Sequence, residues 1–290
     1  MIQKSEDALT YLELGEFEKA KSIYSVLLDR DPLDPGSISG YYMASFWDHR
    51  LDLILKTREG KERGKLLLGF FSDFEIEITK RGFLDTETYQ KTQTCILQEA
   101  ADHLKLAYQW EGANALDKDL LRELTACLIK IGDYKMANEV LLYAGRQATP
   151  VLNYYLAETL CMLGREKDGI PLYRTAFLSD PQLFPISIVR YPPMRGAIQK
   201  AMELGTKEEE WKEIVPILCY REGLFRPPVK LNAEIIQTWF LELKRLTDSK
   251  QRSGGNFKLD ARIEQFALAI LDCADELRSR EALLLAKSLV

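Results

Sequence analysis

Histidine is scarce in this 290-residue chain, which has only His49 and His103. No His-Glu-x-x-His pair can be written with them, and neither is a near neighbour of a cysteine in sequence. Zinc hydrolysis and cysteine–histidine catalysis therefore lack their usual residues. A Gly-x-Ser-x-Gly elbow for a serine nucleophile is also missing. The five cysteines, Cys95, Cys127, Cys161, Cys219 and Cys273, are scattered and contain no Cys-x-x-Cys. An odd, dispersed set fits free thiols in a reducing compartment better than a disulfide framework. No uncharged apolar run approaches the ~20 residues that span a bilayer, and Met1–Asp7 has no apolar signal region. The expectation is a soluble, cytoplasmic protein without a membrane partner. An excess of basic charge is absent too. The 39 Lys+Arg face 44 Asp+Glu, a net charge of -5. Such a chain does not gather phosphates over its whole surface, and no helix-turn-helix with a basic recognition helix stands out, so a nucleic-acid partner is not expected.

What remains of site chemistry is thin. Glu99 and His103 share a helical face, but di-iron bundles use Glu-x-x-His and need a second copy. An ordinary polar pair is expected there, with no metal. Gly60-Lys61-Glu62-Arg63-Gly64-Lys65-Leu66 resembles a phosphate loop but is one residue short between its glycines. It also places Leu66 where Ser or Thr must hold magnesium. A solvated turn between helices is expected. Acidic pairs such as Asp73 and Glu77 recur on charged helix faces without catalytic meaning. No catalytic residue, cofactor or metal site is expected, and the chain reads as not an enzyme.

What is present is a repeat. Three segments align. The first runs Ala8-x-x-Tyr11, Gly15-Glu16-Phe17, Ala20-x-x-x-Tyr24, Pro32. The second is Leu121-x-x-Leu124-Thr125-x-x-Leu128, Gly132-Asp133-Tyr134, Ala137-x-x-x-Leu141, Ala144, Pro150. The third is Leu156-Ala157-x-x-Leu160, Gly164, Gly169-x-x-x-Tyr173, Ala176, Pro181. In each, a glycine precedes a small residue by five positions and a proline by 17 or 18. Two amphipathic helices flank a turn whose glycine can adopt the left-handed conformation. Ala20, Ala137 and Gly169 permit close helix approach, while Tyr24, Leu141 and Tyr173 fill the space one turn later.

This pattern resembles the tetratricopeptide repeat family, whose unit is about 34 residues. The third copy departs from it at Asn153 and Glu166. The resemblance covers residues 1–34 and 118–183, and implies an all-α fold: an α-solenoid of helical hairpins with irregular helical segments between and after the repeats. Gly132 and Gly164 are 32 residues apart, so those two hairpins are consecutive. Gly15 and Gly132 are 117 apart, which no whole number of repeats fits. The expected organisation is a hairpin at 1–34, a divergent helical segment at 35–117, two hairpins at 118–183 and a second divergent segment at 184–246. A flexible loop at 247–258 and a C-terminal helical cap at 259–290 follow, and the whole is compatible with one continuous domain. A further hairpin is suggested by Leu204-Gly205-Thr206 with Trp211 and Ile214.

In the unrepeated block, helices are expected over 37–56, 61–81 and 86–110. Phe74, Ile76 and Ile78 alternate as in a strand, but Leu67, Phe71, Phe74 and Ile78 fit a helix, which is favoured because no partner strand is evident. Of the aromatic groups, Tyr41-Tyr42, Phe46-Trp47, Trp110, Tyr154-Tyr155, Trp211 and Trp239-Phe240 are read first as core and second as interface anchors.

The resemblance implies a concave groove, lined by the first helix of each unit, that binds a segment of another protein. Its groove positions in this chain are Arg122, Ala126, Ile129, Tyr154, Glu158 and Cys161. The Lys and Asn clamp that some family members use for a terminal carboxylate is absent. Tyr154 and Glu158 instead suggest a mixed apolar and basic partner segment. A scaffold or adaptor is therefore expected. The alternatives are a helical enzyme, or an enzyme's regulatory domain, with its site in 35–117, and a peptide-sensing regulator. For the C-terminal helix, a cap burying Phe266 and Ile270 competes with a homodimer seam or a dock for a partner, since Leu283–Leu285 extends the apolar surface.

Overall fold

A computed structural model describes residues 2–111, 118–143, 149–205, 207–225, 233–273 and 280–290. Ala144, Thr206 and the Trp110 side chain, which the sequence pattern uses, lie outside the described residues. Every regular element among these residues is helical, and no strand occurs. No helix among them is long and apolar enough to cross a membrane. The chain divides into two compact units, residues 1–144 and 145–290.

The first unit contains α1 (Ile2–Glu13), α2 (Phe17–Leu28), α3 (Pro35–Lys56), α4 (Lys61–Arg81), α5 (Glu87–Glu111), α6 (Lys118–Lys130) and α7 (Tyr134–Tyr143). Helix α5 is its spine and touches α1, α3, α4 and α6. Phe74 and Ile78 sit inside α4 and are buried with Leu67 and Phe71 on one helical face. The strand-like alternation is thus overruled by the three–four spacing of the larger side chains. The expectation of a turn over the whole phosphate-loop lookalike is corrected: only Gly60 lies in the turn, and residues 61–66 form the first turns of α4. Gly60 takes a positive φ of 87°, and the Arg63 guanidinium donates to the carbonyls of Leu55 and Thr57, closing the open end of α3.

The second unit contains α8 (Pro150–Met162), α9 (Glu166–Ser179), α10 (Pro192–Leu204), α11 (Glu208–Arg221), α12 (Ala233–Ser253), α13 (Phe257–Leu271) and α14 (Arg280–Lys287). Between α9 and α10 lie two short 3-10 turns, Pro181–Leu183 and Ile186–Ile188. Phe266 and Ile270 on α13 are buried, and α13 packs on α11, α12 and α14. The expected flexible loop at 247–258 is a correction. Helix α12 runs on to Ser253, and only 254–256 separate it from α13. The Lys250–Asp260 ion pair, 2.7 Å, spans that short turn. The expected 118–183 block is also divided. Helix α6 packs on α5 and α7 in the first unit, whereas α8 packs on α9 in the second.

All three sequence repeats form helical hairpins, α1/α2, α6/α7 and α8/α9, and they close identically. Gly15, Gly132 and Gly164 have φ of 73°, 83° and 76°. In each, the glycine N–H donates three residues back and the next N–H five residues back, as in Glu16 to Tyr11, Asp133 to Leu128 and Arg165 to Leu160. This pair of bonds satisfies carbonyls that a helix end leaves open. The small positions are close contacts. A Cβ on Gly169 would stand 2.6 Å from Cys161 Sγ and 2.8 Å from the Ala157 carbonyl. Ala20 and Ala137 are fully buried, and Tyr24, Leu141 and Tyr173 are buried beside them. Pro150 and Pro181 mark more than an ending, because each opens the next helical turn behind a capping Thr149 or Asp180. Helices α10 and α11 also pair, but Gly205 is extended at φ -112° and is held by the Trp211 Nε1–H donating to its carbonyl, 2.8 Å.

Ala137→Trp is expected to destabilise the first unit by ~1–3 kcal/mol or more through overpacking of α7 against α6. Arg122→Ala, at an exposed position of α6, should change stability by ~0.5 kcal/mol or less. Thermal melts of the two variants check this, and equal midpoints would mean that the hairpin tolerates bulk at its close approach.

Candidate functional site

The six groove positions implied by the resemblance do not behave alike. Arg122 is exposed and pairs with Asp119 at 3.4 Å, and Ala126 is half-buried. Ile129 is fully buried. Tyr154, Glu158 and Cys161 are buried as well, and their partners lie within the second unit. These four residues form no surface for a partner, which corrects that part of the expectation. The basic partner segment inferred from Tyr154 and Glu158 loses its footing with them.

Glu158 has a different task. One carboxylate oxygen accepts the backbone N–H groups of Arg190, 2.6 Å, and Tyr191, 2.9 Å, while the other accepts the Tyr173 hydroxyl. Burial pushes its pKa up, and the hydroxyl and the two amides pull the other way without reversing the direction. Glu158 thus fastens the start of α10 to α8. A second buried carboxylate, Glu213 on α11, accepts from Gln182 at 2.8 Å and from Gln265 at 3.1 Å. Tyr154 donates to the Asp180 carbonyl at 2.9 Å and joins a ring cluster with Tyr173, Phe177 and Phe184. The segment 180–191, which looks irregular, is held at both ends by buried acids and underneath by aromatics.

This segment shapes a trough. One cleft of ≈ 690 Å³ is lined by Ile186, Arg190, Arg195, Ile198, Gln199 and Met202, among others. An adjoining cleft of ≈ 310 Å³ shares Ile186, Ser187 and Met202 with it and continues to Phe184, Trp211 and Lys212. Arg195 is exposed, and its guanidinium has no ion-pair or hydrogen-bond partner among the described residues. The Arg190 Nη1 reaches only the carbonyls of Ser187 and Val189. No carboxylate lines the larger cleft, and in the smaller one Lys212 pairs with Glu208 at 2.7 Å.

Another cleft of ≈ 580 Å³ lies among α9, α12 and α13, with Leu178, Trp239, Leu241 and Phe266 in its wall. Its cations are already engaged. Arg262 donates to the carbonyls of Phe177 and Leu178, and Arg245 makes two bonds to Glu242, 2.6 and 2.8 Å.

Burial raises the thiols of Cys95 to about 11 and of Cys127 and Cys161 to about 12, and pushes Cys219 further up. Thiolate chemistry near neutral pH is suppressed at these positions. His103 accepts the Gly60 N–H at Nδ1, 3.3 Å, and its buried Nε2 lies 3.2 Å from Glu99 without a hydrogen bond among the described residues. This pair ties the α3–α4 turn to α5. Among the described residues, no group of three or more His, Cys, Asp or Glu could hold a metal.

The sequence reading missed the 180–191 trough. Pro181, Pro185 and Pro192-Pro193 were the available signal, since prolines that close together mark a built, non-helical course. No protein-family model matches the chain, and no curated protein or solved structure shows significant similarity to it.

Proposed function

We propose that this chain is a protein-interaction scaffold built on tetratricopeptide-like helical hairpins, with no chemistry of its own. The observation that carries this reading is the threefold recurrence of one hairpin: the same glycine turn, a buried small residue five positions on and a large buried residue one turn later. Hairpins of this kind cannot bury both faces alone, so they stack and leave an extended surface. The use of Glu158 and Glu213 supports the reading further, because both buried acids hold backbone or side-chain amides in place. The block 35–117, where an enzyme reading would put its site, is filled by rings of Phe46, Trp47, Phe71, Phe74 and Tyr89.

Affinity purification of the tagged chain, followed by reconstitution from purified components, tests the proposal. One protein retained near stoichiometry, and rebinding when pure, is the expected result. A co-purifying metabolite or metal ion with no protein partner would overturn it in favour of an enzyme or a small-molecule sensor.

A further inference from the structure

We infer that the trough formed by residues 184–190, α10 and Trp211 of α11 docks an extended segment of a partner protein, its acidic residues on Arg190 and Arg195 in the larger cleft and one or two apolar side chains in the smaller cleft, where Glu208 already holds Lys212. The inference rests on the scaffold reading and names the surface and the partner chemistry. Charge selects the partner. The chain as a whole is net negative at -5, yet the larger cleft contains two arginines and no carboxylate. Among the described residues the exposed Arg195 guanidinium has no hydrogen-bond or ion-pair partner, and the Arg190 guanidinium donates to two backbone carbonyls while its charge also acts on the buried Glu158. An approaching carboxylate therefore displaces no existing ion pair. In the α9–α12–α13 cleft the same carboxylate would have to compete with Glu242 for Arg245. Arginine is also the better residue for this purpose, since its planar fork can hold a carboxylate by two bonds.

Shape and apolarity select a segment over a small anion. The two clefts share Ile186, Ser187 and Met202 and so run on from one to the other. Their floor is apolar, with Ile186, Ile198, Phe184 and Trp211. Met202 is 42% exposed at the junction, and its unbranched thioether adapts to different apolar anchors. A nucleic acid is disfavoured, because net negative charge opposes a polyanion at long range and an apolar floor offers nothing to a phosphate backbone. Rigidity favours affinity. The Arg190 and Tyr191 amides are pinned by Glu158 and Gln182 is pinned by Glu213, so little ordering accompanies docking.

The test selects random 12-residue peptides displayed against the full chain, then measures the enriched peptides by fluorescence anisotropy. Enrichment of Asp or Glu beside Leu, Ile, Phe or Met is expected, with affinity that falls as salt rises. Arg195→Glu, at an exposed position that leaves the fold intact by circular dichroism, should weaken these peptides at least ~10-fold. The same variant should improve binding of versions in which Asp and Glu are replaced by Lys. Met202→Lys should weaken them too, through the apolar anchor. Enriched peptides that are basic or uncharged, or acidic ones indifferent to Arg195→Glu, would overturn the inference. If the peptides instead respond to Leu241→Asp in the α9–α12–α13 cleft, the scaffold reading stands and this surface is wrong. If no peptide binds better than its scrambled version, both fall. Competition by inorganic phosphate with no peptide selected would make the trough a simple anion site and also overturn the inference.

Discussion

Glu158→Ala is expected to destabilise the second unit by about 2–4 kcal/mol, whereas Glu158→Gln should stay within ~1 kcal/mol of the parent at neutral pH. The alanine leaves the N–H groups of Arg190 and Tyr191 without their acceptor, and Tyr191 is buried. A buried donor left unpaired costs roughly 1–3 kcal/mol. Relief of the buried charge offsets part of this loss. The glutamine keeps a carbonyl oxygen for both amides and offers its NH₂ to the Tyr173 oxygen. The two variants also differ in pH response. Burial raises the Glu158 pKa above its ordinary 4.5 in the folded chain. Below 4.5 both the folded and unfolded forms hold the proton, and the group is neutral in each. As pH rises from 4.5 through the raised value, the unfolded chain releases its proton first, so this group's contribution to stability falls and then levels off. Glu158→Gln should remove that slope. Urea titrations at pH 4 and pH 8, with hydrogen exchange across residues 181–191, check both points. An alanine variant as stable as the parent, with the connector still protected, would mean that Glu158 does not hold the trough.

The three helices of the unrepeated block were legible almost to the residue. Expected at 37–56, 61–81 and 86–110, they run Pro35–Lys56, Lys61–Arg81 and Glu87–Glu111. Their ends are marked locally, by Asp34 capping the Ser37 N–H at 2.9 Å and by Gly82 in the left-handed conformation. The hairpins were legible for the same reason, since a glycine turn and a close approach are events within one stretch of chain. The error at 247–258 arose from composition. Polar residues from Thr247 to Ser253 resemble a loop, but as the exposed end of α12 they are an ordinary helix face, and only Gly254 takes a positive φ.

The trough was not legible, because its geometry depends on long-range bonds. Glu158 meets amides 32 and 33 positions away, and Glu213 meets Gln182 at 31 and Gln265 at 52. Repeat spacing alone assigns Glu158 to the open face of its helix. The distant N–H groups draw it inside. Arg174 is similar: a charged residue that local pattern would leave at the surface is buried, with its guanidinium 5.3 Å from the Trp239 ring centroid.

Trp47→Ala should destabilise the first unit by about 3–5 kcal/mol, the cost of emptying a large aromatic site in a packed core. Trp47 is fully buried. Its ring centroid lies 5.4 Å from those of Phe46 and Phe74 and 6.2 Å from that of Phe17. It therefore joins α2 of the first hairpin to α3 and α4 of the unrepeated block. Trp47→Phe separates packing from polarity. The indole Nε1 is buried without a hydrogen-bond partner among the described residues, so the smaller ring removes an unsatisfied donor while it loses part of the volume. These terms oppose one another, and a change of ~1 kcal/mol or less is expected. Calorimetric melts of the two variants give the comparison. A phenylalanine variant as unstable as the alanine one would show that the indole makes a polar contact the structure does not contain. Near-native stability in both would mean that residues 35–117 fold without support from the first hairpin, and that the two segments are independent despite their shared core.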